Sequence, residues 1–152
     1  MMDFMVCLAV LTLIDDRNTG HDFLGRSVGA GSLSVWTHYL KRFEYLPSYS
    51  QSNYTGMAVH YGTGLEGWEL FNHMTEENIT IVVPGWQSVG PGGGWFSGGG
   101  HGGLTSYYGL GSDQVLEIHI VTADGRLVVA TADENEDLFY AMRGGGGSMY
   151  IY

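Results

Sequence analysis

One histidine of this chain stands where chemistry, rather than packing, would explain its presence. His21 lies between Gly20 and Asp22 in the stretch R-N-T-G-H-D-F-L-G-R-S, residues 17–27, directly after an apolar run. This pattern predicts a strand that gives way to a glycine-containing loop, so the imidazole is not expected in the core. A neutral imidazole nitrogen is nucleophilic near pH 7. The sequence leaves open whether His21 has a chemical role or is a loop histidine that only forms hydrogen bonds.

A second unusual feature is the glycine-rich block at residues 84–113, in a chain with 25 glycines among 152 residues. Interleaved aromatic and β-branched residues argue against disorder. Glycine allows close packing or a flexible loop, and it also allows backbone N–H groups to surround a diphosphate. Both explanations remain open. A Rossmann fingerprint is excluded, because no G-x-G-x-x-G followed by a helix is present.

The charge distribution limits the possible partners. The formal net charge is −10, and no Lys or Arg occurs from residue 43 to residue 125. Nucleic acid and anionic membranes require basic surfaces, so neither is expected as a partner. An anion bound by this stretch would have to be held by backbone N–H groups. The histidines show no metal-ligand spacing, so no metal site is expected.

Cys7 is the only cysteine, which excludes an internal disulfide. The sequons at Asn53 and Asn78 would suit a secreted protein but also arise by chance, so the compartment stays open between secreted and cytoplasmic. The oligomeric state is not indicated.

The hydrophobic pattern predicts an α+β fold with a mixed or antiparallel sheet and short flanking helices. Strands are expected over 32–46, 57–64 and 80–83, with a polar, turn-rich segment over 47–56. A helix is expected over 65–79, closed by Asn78. Two further strands should form a hairpin through Ala123-Asp124-Gly125, followed by a short helix that the glycines after Arg143 terminate. A buried strand or helix is expected in the first fourteen residues. A strand that starts at Met149 would have no following partner, which suggests a fragment of a longer domain.

Several motifs together resemble the FAD-binding domain of the berberine bridge enzyme-like oxidoreductases, within the p-cresol methylhydroxylase (PCMH) and vanillyl alcohol oxidase (VAO) type of flavoproteins. They are the His21 loop, V-G-x-x-G-G and G-G-G-H-G in the glycine block, Y-G-L-x-x-D at 108–113, and R-G-G-G-G at 143–147. The resemblance implies a partial PCMH-type domain over 1–152. The first subdomain would end at about residue 30, the second would cover 31–152, and a substrate domain would be absent.

The resemblance also implies FAD as the cofactor, joined covalently through its 8α-methyl group to His21. A second, cysteinyl link is not expected, because Trp86 stands at the position matched to that cysteine. The implied cofactor-binding residues are Gly20, His21, Asp22, Phe23, Leu24, Gly25, Arg26, Ser27, Val89, Gly90, Gly93, Gly94, Gly98, Gly99, Gly100, His101, Gly102, Leu104, Gly109 and Asp113.

Individual roles within this set differ. Arg26 is expected either to contact phosphate or to form a surface salt bridge. His101 is expected to line the cofactor site, and Asp113 to orient backbone rather than to donate protons. No residue of the chain can be named as the general base, which family members usually carry in the substrate domain.

The implied activity is that of an FAD-dependent oxidoreductase, in which a small organic substrate gives hydride to flavin N5 and dioxygen can reoxidise the flavin. Two alternatives differ in class. One is a truncated, catalytically inactive flavoprotein fragment, and the other is a glycine-rich interaction module without a cofactor.

Overall fold

The protein is described by a computed structural model over residues 14–146, a mixed arrangement of short strands and helices. The expected elements in the first thirteen residues and at Met149 lie outside the described residues. The strands are β1 Ile14–Arg17, β2 Leu33–Trp36, β3 Phe43–Gln51, β4 Tyr54–Tyr61, β5 Glu117–Val121 and β6 Leu127–Thr131. The helices are α1 Gly67–Glu77, α2 Thr105–Tyr108 and α3 Glu136–Met142. The α+β class expected from the sequence is confirmed.

The strands pair in three two-stranded sheets. β1 and β2 run parallel, whereas β3–β4 and β5–β6 are antiparallel. The β1–β2 connection, residues 18–32, is the loop that carries His21. β1 precedes and β2 follows residue 30, where the sequence places a subdomain boundary, and that division remains a prediction.

The hairpin around Ala123-Asp124-Gly125 is confirmed, with Val121 opposite Leu127. Gly125 has φ +80°, a value that glycine adopts without strain. A second hairpin, β3–β4, contradicts the loop expected over 47–56. The hydroxyl side chains in that stretch lie mostly on its exposed face, whereas Tyr49 and Gln51 are half-buried and both donate hydrogen bonds to Glu117.

Two other expected strands differ from the structure. The single strand expected over 32–46 is divided by a short helical turn, Thr37–Tyr39, between β2 and β3. The segment 80–83 is not a strand. Val82 and Val83 are buried as expected, but the Val83 carbonyl oxygen faces Gly102 instead of a neighbouring strand. A short apolar run indicates burial and does not by itself establish strand pairing.

Helix α1 supplies the centre of the core. Leu70 is fully buried and forms a cluster with Leu65 and Val83, against which Phe43 and Tyr61 pack. The helix begins with a capping box, in which the Glu69 carboxylate accepts the Glu66 backbone N–H at 2.9 Å. This arrangement fixes Glu66 at the start of α1.

Helix α1 ends at Asn78, as predicted, in the left-handed conformation with φ 52° and ψ 46°. Because asparagine tolerates this region better than alanine does, Asn78→Ala should lower the free energy of unfolding by about 1 kcal/mol. Asn78→Gly should be neutral or stabilising. Urea unfolding of both variants checks this, and equal destabilisation by alanine and glycine would contradict it.

Candidate cofactor site

The His21 loop is held by its own aspartate. The Asp22 carboxylate accepts hydrogen bonds from the Leu24 backbone N–H at 3.4 Å and from the Arg26 guanidinium at 3.0 Å. Hydrogen bonds from the Arg26 side chain lower the pKa of Asp22. Of the two roles expected for Arg26, the structure shows the salt bridge. Gly20 and Gly25 have φ values of +81° and +73°, so the loop needs glycine at both corners.

The remaining predicted residues of this loop differ in exposure. Phe23 is 96% exposed and Leu24 is 67% exposed, whereas Ser27 is half-buried. Large apolar side chains in such positions would be covered by a ligand or by another part of a protein.

The His21 side chain opens onto a cleft of about 300 Å³. Its Nε2 atom lies 2.9 Å from the Ser88 hydroxyl oxygen, so the His21 loop meets the segment that leads into the glycine block. The cleft is lined by Arg17, Asn18, Thr19, His21, Trp36, His38, Glu66 and Ser88.

One wall of the cleft consists of aromatic and acidic side chains. Trp36 stacks on His38 with a ring-centroid distance of 4.8 Å, and the Trp36 indole N–H donates to the Asn18 carbonyl at 2.8 Å. His38 Nδ1 lies 3.8 Å from the Glu66 carboxylate. The end of β2, the helical turn Thr37–Tyr39 and the start of α1 thus position an indole, an imidazole and a carboxylate beside His21.

Helix α1 also anchors the segment on the other side of the cleft. The backbone N–H groups of Gly67 and Trp68 donate to the carbonyls of Val89 and Gln87, both at 2.9 Å. Gly90 follows at a crowded position, where a Cβ atom would lie 2.0 Å from the Asn18 amide nitrogen. A side chain at residue 90 would therefore have to displace the Asn18 amide group.

The glycines of the block divide into two sets. In the first, a Cβ atom would collide with the protein itself: 2.2 Å from the Val83 carbonyl oxygen at Gly102, 2.9 Å from Gly111 at Gly100, and 3.0 Å from the Gly94 carbonyl oxygen at Gly98. Close packing therefore accounts for these glycines.

In the second set, the missing side chain faces open space. A Cβ atom at Gly93 or Gly94 would meet no atom within 4 Å, and at Gly99 only Leu110 at 3.6 Å. Gly93 and Gly94 are also exposed. Packing within the described residues does not explain glycine at Gly93 and Gly94.

The last predicted group packs against the triple glycine. The Gly111 and Ser112 backbone N–H groups donate to the carbonyls of Gly100 and Gly99 at 2.7 and 3.0 Å. The Asp113 carboxylate accepts the Leu110 N–H at 2.8 Å, which is the backbone contact expected for it. This turn requires Gly109, whose φ is +83°.

Leu104 and His101 contribute backbone carbonyls. The Leu104 carbonyl accepts the N–H groups of Tyr107 and Tyr108, and the His101 carbonyl accepts the Trp95 indole N–H at 3.0 Å. The His101 side chain is exposed. His21 contacts the start of the glycine block through Ser88. Gly99 and Gly100, farther along the block, pack against the 109–113 turn.

Trp86 and Ser88 are two further residues near the start of the glycine block. Trp86, matched to the cysteine of relatives, is 70% exposed. Ser88, which the sequence did not single out, contacts His21 directly. A serine two residues before Gly90 carries no distinctive signal, because only the fold brings it to a histidine 67 residues away.

Comparison with known proteins decides the family. Residues 16–131 match the model of the family described as "FAD binding domain". The chain belongs to this family. The match spans the His21 loop, the glycine block and the β5–β6 hairpin, and the cofactor of the family is FAD.

Relatives and solved structures agree with this assignment. FAD-linked oxidoreductase patO from Aspergillus clavatus is 48% identical over 134 residues, which cover 88% of this chain and 23% of patO. The crystal structure of the VAO-type flavoprotein MtVAO615 from Myceliophthora thermophila superimposes with a TM-score of 0.87 at 45% identity, covering 90% of this chain and 25% of that one. The chain thus spans about a quarter of the length of these relatives.

Two more distant structures share the fold. BBE-like 1 from Physcomitrella patens has a TM-score of 0.77 at 29% identity, covering 92% of this chain and 29% of that one. Glucooligosaccharide oxidase from Acremonium strictum, described with a 6-S-cysteinyl, 8α-N1-histidyl FAD, has a TM-score of 0.72 at 25% identity, covering 92% and 28%. The berberine bridge enzyme-like and VAO-type resemblance is confirmed.

Residues 14–146 contain neither a metal-binding cluster nor a membrane-spanning helix. No cluster of three or more His, Cys, Asp or Glu side chains there is arranged to hold a metal ion. No helix in the same range has the length and apolar character needed to cross a membrane.

Proposed function

We propose that this chain forms the flavin-holding part of an oxidoreductase that oxidises a small organic substrate, with FAD attached to His21. The observation that carries the proposal is the meeting of His21 with the Ser88–Gly90 segment at an open cleft. A nucleophilic imidazole and the Ser88 side chain of the glycine block thereby border one cleft. The flavin, when bound, supplies the hydride and electron chemistry.

The residues present fit such a cofactor. Gly93 and Gly94 leave exposed backbone that a side chain would otherwise cover. Since residues 43–125 contain no Lys or Arg, N–H groups of this backbone are the donors available in the glycine block for a diphosphate. The crowded glycines Gly98, Gly100 and Gly102 would shape the loop, and Gly93, Gly94 and Gly99 would approach the ligand.

The other predicted residues support this arrangement. Asp22 and Arg26 hold the His21 loop in its turn, so that the imidazole faces the cleft. Asp113 fixes the turn on which Gly99 and Gly100 pack. The exposed side chains of Phe23 and Leu24 would be covered when the cofactor or the remainder of a longer protein is present.

The attachment we propose is a single bond through His21. The glucooligosaccharide oxidase structure is described with both a histidyl and a cysteinyl bond. In this chain Trp86 occupies the matched position, and the sole cysteine, Cys7, lies outside the described residues. We therefore expect one flavin per chain, bound by one link.

Denaturing mass spectrometry of the full chain, expressed and then incubated with FAD, tests the proposed function. The expected result is a mass increase equal to one FAD minus two hydrogen atoms, which survives denaturation and maps after trypsin digestion to the peptide containing His21. A chain that neither gains this mass nor is stabilised against heat by FAD would exclude the proposal, because a ligand of the folded state must stabilise it.

Gly94→Leu should weaken the initial, non-covalent binding of FAD at least about tenfold, which corresponds to about 1.4 kcal/mol. The added side chain would cover backbone that we propose the diphosphate contacts. Flavin fluorescence titration measures the affinity. Thermal unfolding without FAD is the control, and it should be nearly unchanged because no atom lies within 4 Å of the new Cβ. Unchanged FAD affinity would place the diphosphate elsewhere.

A further inference from the structure

We propose that Ser88 is a positioning residue that prepares His21 for attachment to the flavin. The inference rests on the proposed function and concerns how the imidazole is presented. The Ser88 hydroxyl oxygen lies 2.9 Å from His21 Nε2, and both side chains border the same cleft. Among residues 14–146, no hydrogen bond to His21 Nδ1 is found.

The hydrogen bond engages one ring nitrogen of the imidazole, Nε2, and leaves Nδ1 for the flavin. A neutral histidine carries its proton on one ring nitrogen and a lone pair on the other, and the partner of one nitrogen determines the state of the second. When Nε2–H donates to the Ser88 oxygen, Nδ1 keeps its lone pair and is the nucleophile. Without this partner neither ring nitrogen would be held, and the ring would rotate freely.

Ser88 can perform this role because its own position is fixed. The residues on either side, Gln87 and Val89, accept hydrogen bonds from the first backbone N–H groups of α1, both at 2.9 Å. The Val89 N–H also donates to the Trp86 carbonyl at 3.3 Å. Ser88 itself is half-buried. Because α1 belongs to the core, its hydrogen bonds to residues 87 and 89 hold the Ser88 hydroxyl at the cleft.

Attachment of the flavin to His21 is a two-electron oxidation. A carbon–nitrogen bond forms between His21 Nδ1 and the 8α carbon, one C–H bond of the methyl group breaks, and the imidazole loses the proton on Nε2. Dioxygen is the oxidant, and it takes up two electrons and both protons as hydrogen peroxide. A serine hydroxyl suits both ends of this step, because it accepts the Nε2–H bond before attachment and donates to the bare Nε2 afterwards.

The experiment compares wild type with Ser88→Ala, Ser88→Thr and the exposed, distant control Ser48→Ala in the full chain incubated with FAD. Total bound flavin is measured before denaturation, and covalent flavin is measured over time after denaturation. NMR of the flavin peptide identifies the ring nitrogen that is bonded to the flavin. Ser88→Ala should attach flavin roughly five- to tenfold more slowly, as expected for the loss of one hydrogen bond, and at both ring nitrogens. Total FAD binding should be unchanged.

Ser88→Thr keeps the hydroxyl and should restore both the rate and attachment at Nδ1, and Ser48→Ala should match wild type. Attachment by Ser88→Ala at the wild-type rate and only at Nδ1 would overturn the role of Ser88 while leaving the proposed function intact. Wild-type flavin on Nε2, or loss of total FAD binding in Ser88→Ala, would also overturn it. Failure of the wild-type chain to bind FAD would overturn both proposals.

Discussion

Replacing His21 with alanine should leave the protein with no covalently attached flavin. Alanine has no nucleophilic nitrogen. The other imidazole that lines the cleft, His38, lies on the Thr37–Tyr39 turn and not on the His21 loop. The substitution should not disturb the fold, because His21 is exposed and, within residues 14–146, its side chain forms a hydrogen bond to Ser88 only. Reversible binding of FAD should persist, since we propose that the glycine block contacts the diphosphate.

The measurement is the ratio of flavin retained to flavin released on denaturation, for wild type, His21→Ala and His119→Ala. His119 is a matched control, because its side chain is 45% exposed and it lies on β5 outside the proposed site. We expect full attachment in the control, none in His21→Ala, and heat stabilisation by FAD in all three proteins. Covalent flavin that persists in His21→Ala would show that another residue forms the bond.

The position of His21 at a loop was predictable because short-range signals agree there. A strand followed by two glycines and an aspartate specifies a turn, and the structure shows positive φ values at Gly20 and Gly25 with Asp22 closing the loop. The β5–β6 hairpin was predictable for the same reason, since Asp124-Gly125 determines a turn locally. Features of this kind depend on residues close in sequence.

The role of Ser88 depends on residues far apart in sequence and could not be predicted in this way. It follows from the packing of α1 against the 87–89 segment and from the return of the β1–β2 loop to the same place. The β3–β4 hairpin was missed for a related reason. The polar side chains of 47–56 resemble those of a loop, but Tyr49 and Gln51 find a partner on β5 that no local pattern reveals.

The sequence left two explanations open for the glycine block, close packing and approach of a ligand. The structure shows which of its glycines are closely packed. Close packing explains Gly90, Gly98, Gly100 and Gly102, because each Cβ would lie 3.0 Å or less from another atom. We propose that ligand approach accounts for glycine at Gly93 and Gly94, which have no such neighbour. Composition alone cannot separate these sets, because the atoms around each glycine are known only once the fold is known.

This division predicts that Gly102→Ala will destabilise the fold itself, by about 3 kcal/mol. Gly102 is buried, and the new methyl group would lie 2.2 Å from the Val83 carbonyl oxygen, which is backbone next to the Leu65–Leu70 cluster. Relief would require the Val83 segment to move away from the core. The effect should therefore appear without any cofactor present.

The matched control is the next residue, because a Cβ atom at Gly103 would meet nothing within 4 Å. Urea unfolding of the two alanine variants without FAD should show a large loss of stability for Gly102→Ala and a change within about 0.5 kcal/mol for Gly103→Ala. Equal stability of the two variants would mean that Gly102 does not pack against Val83. The close contact that explains its glycine would then be absent, and Gly102 would be an uncrowded position like Gly103.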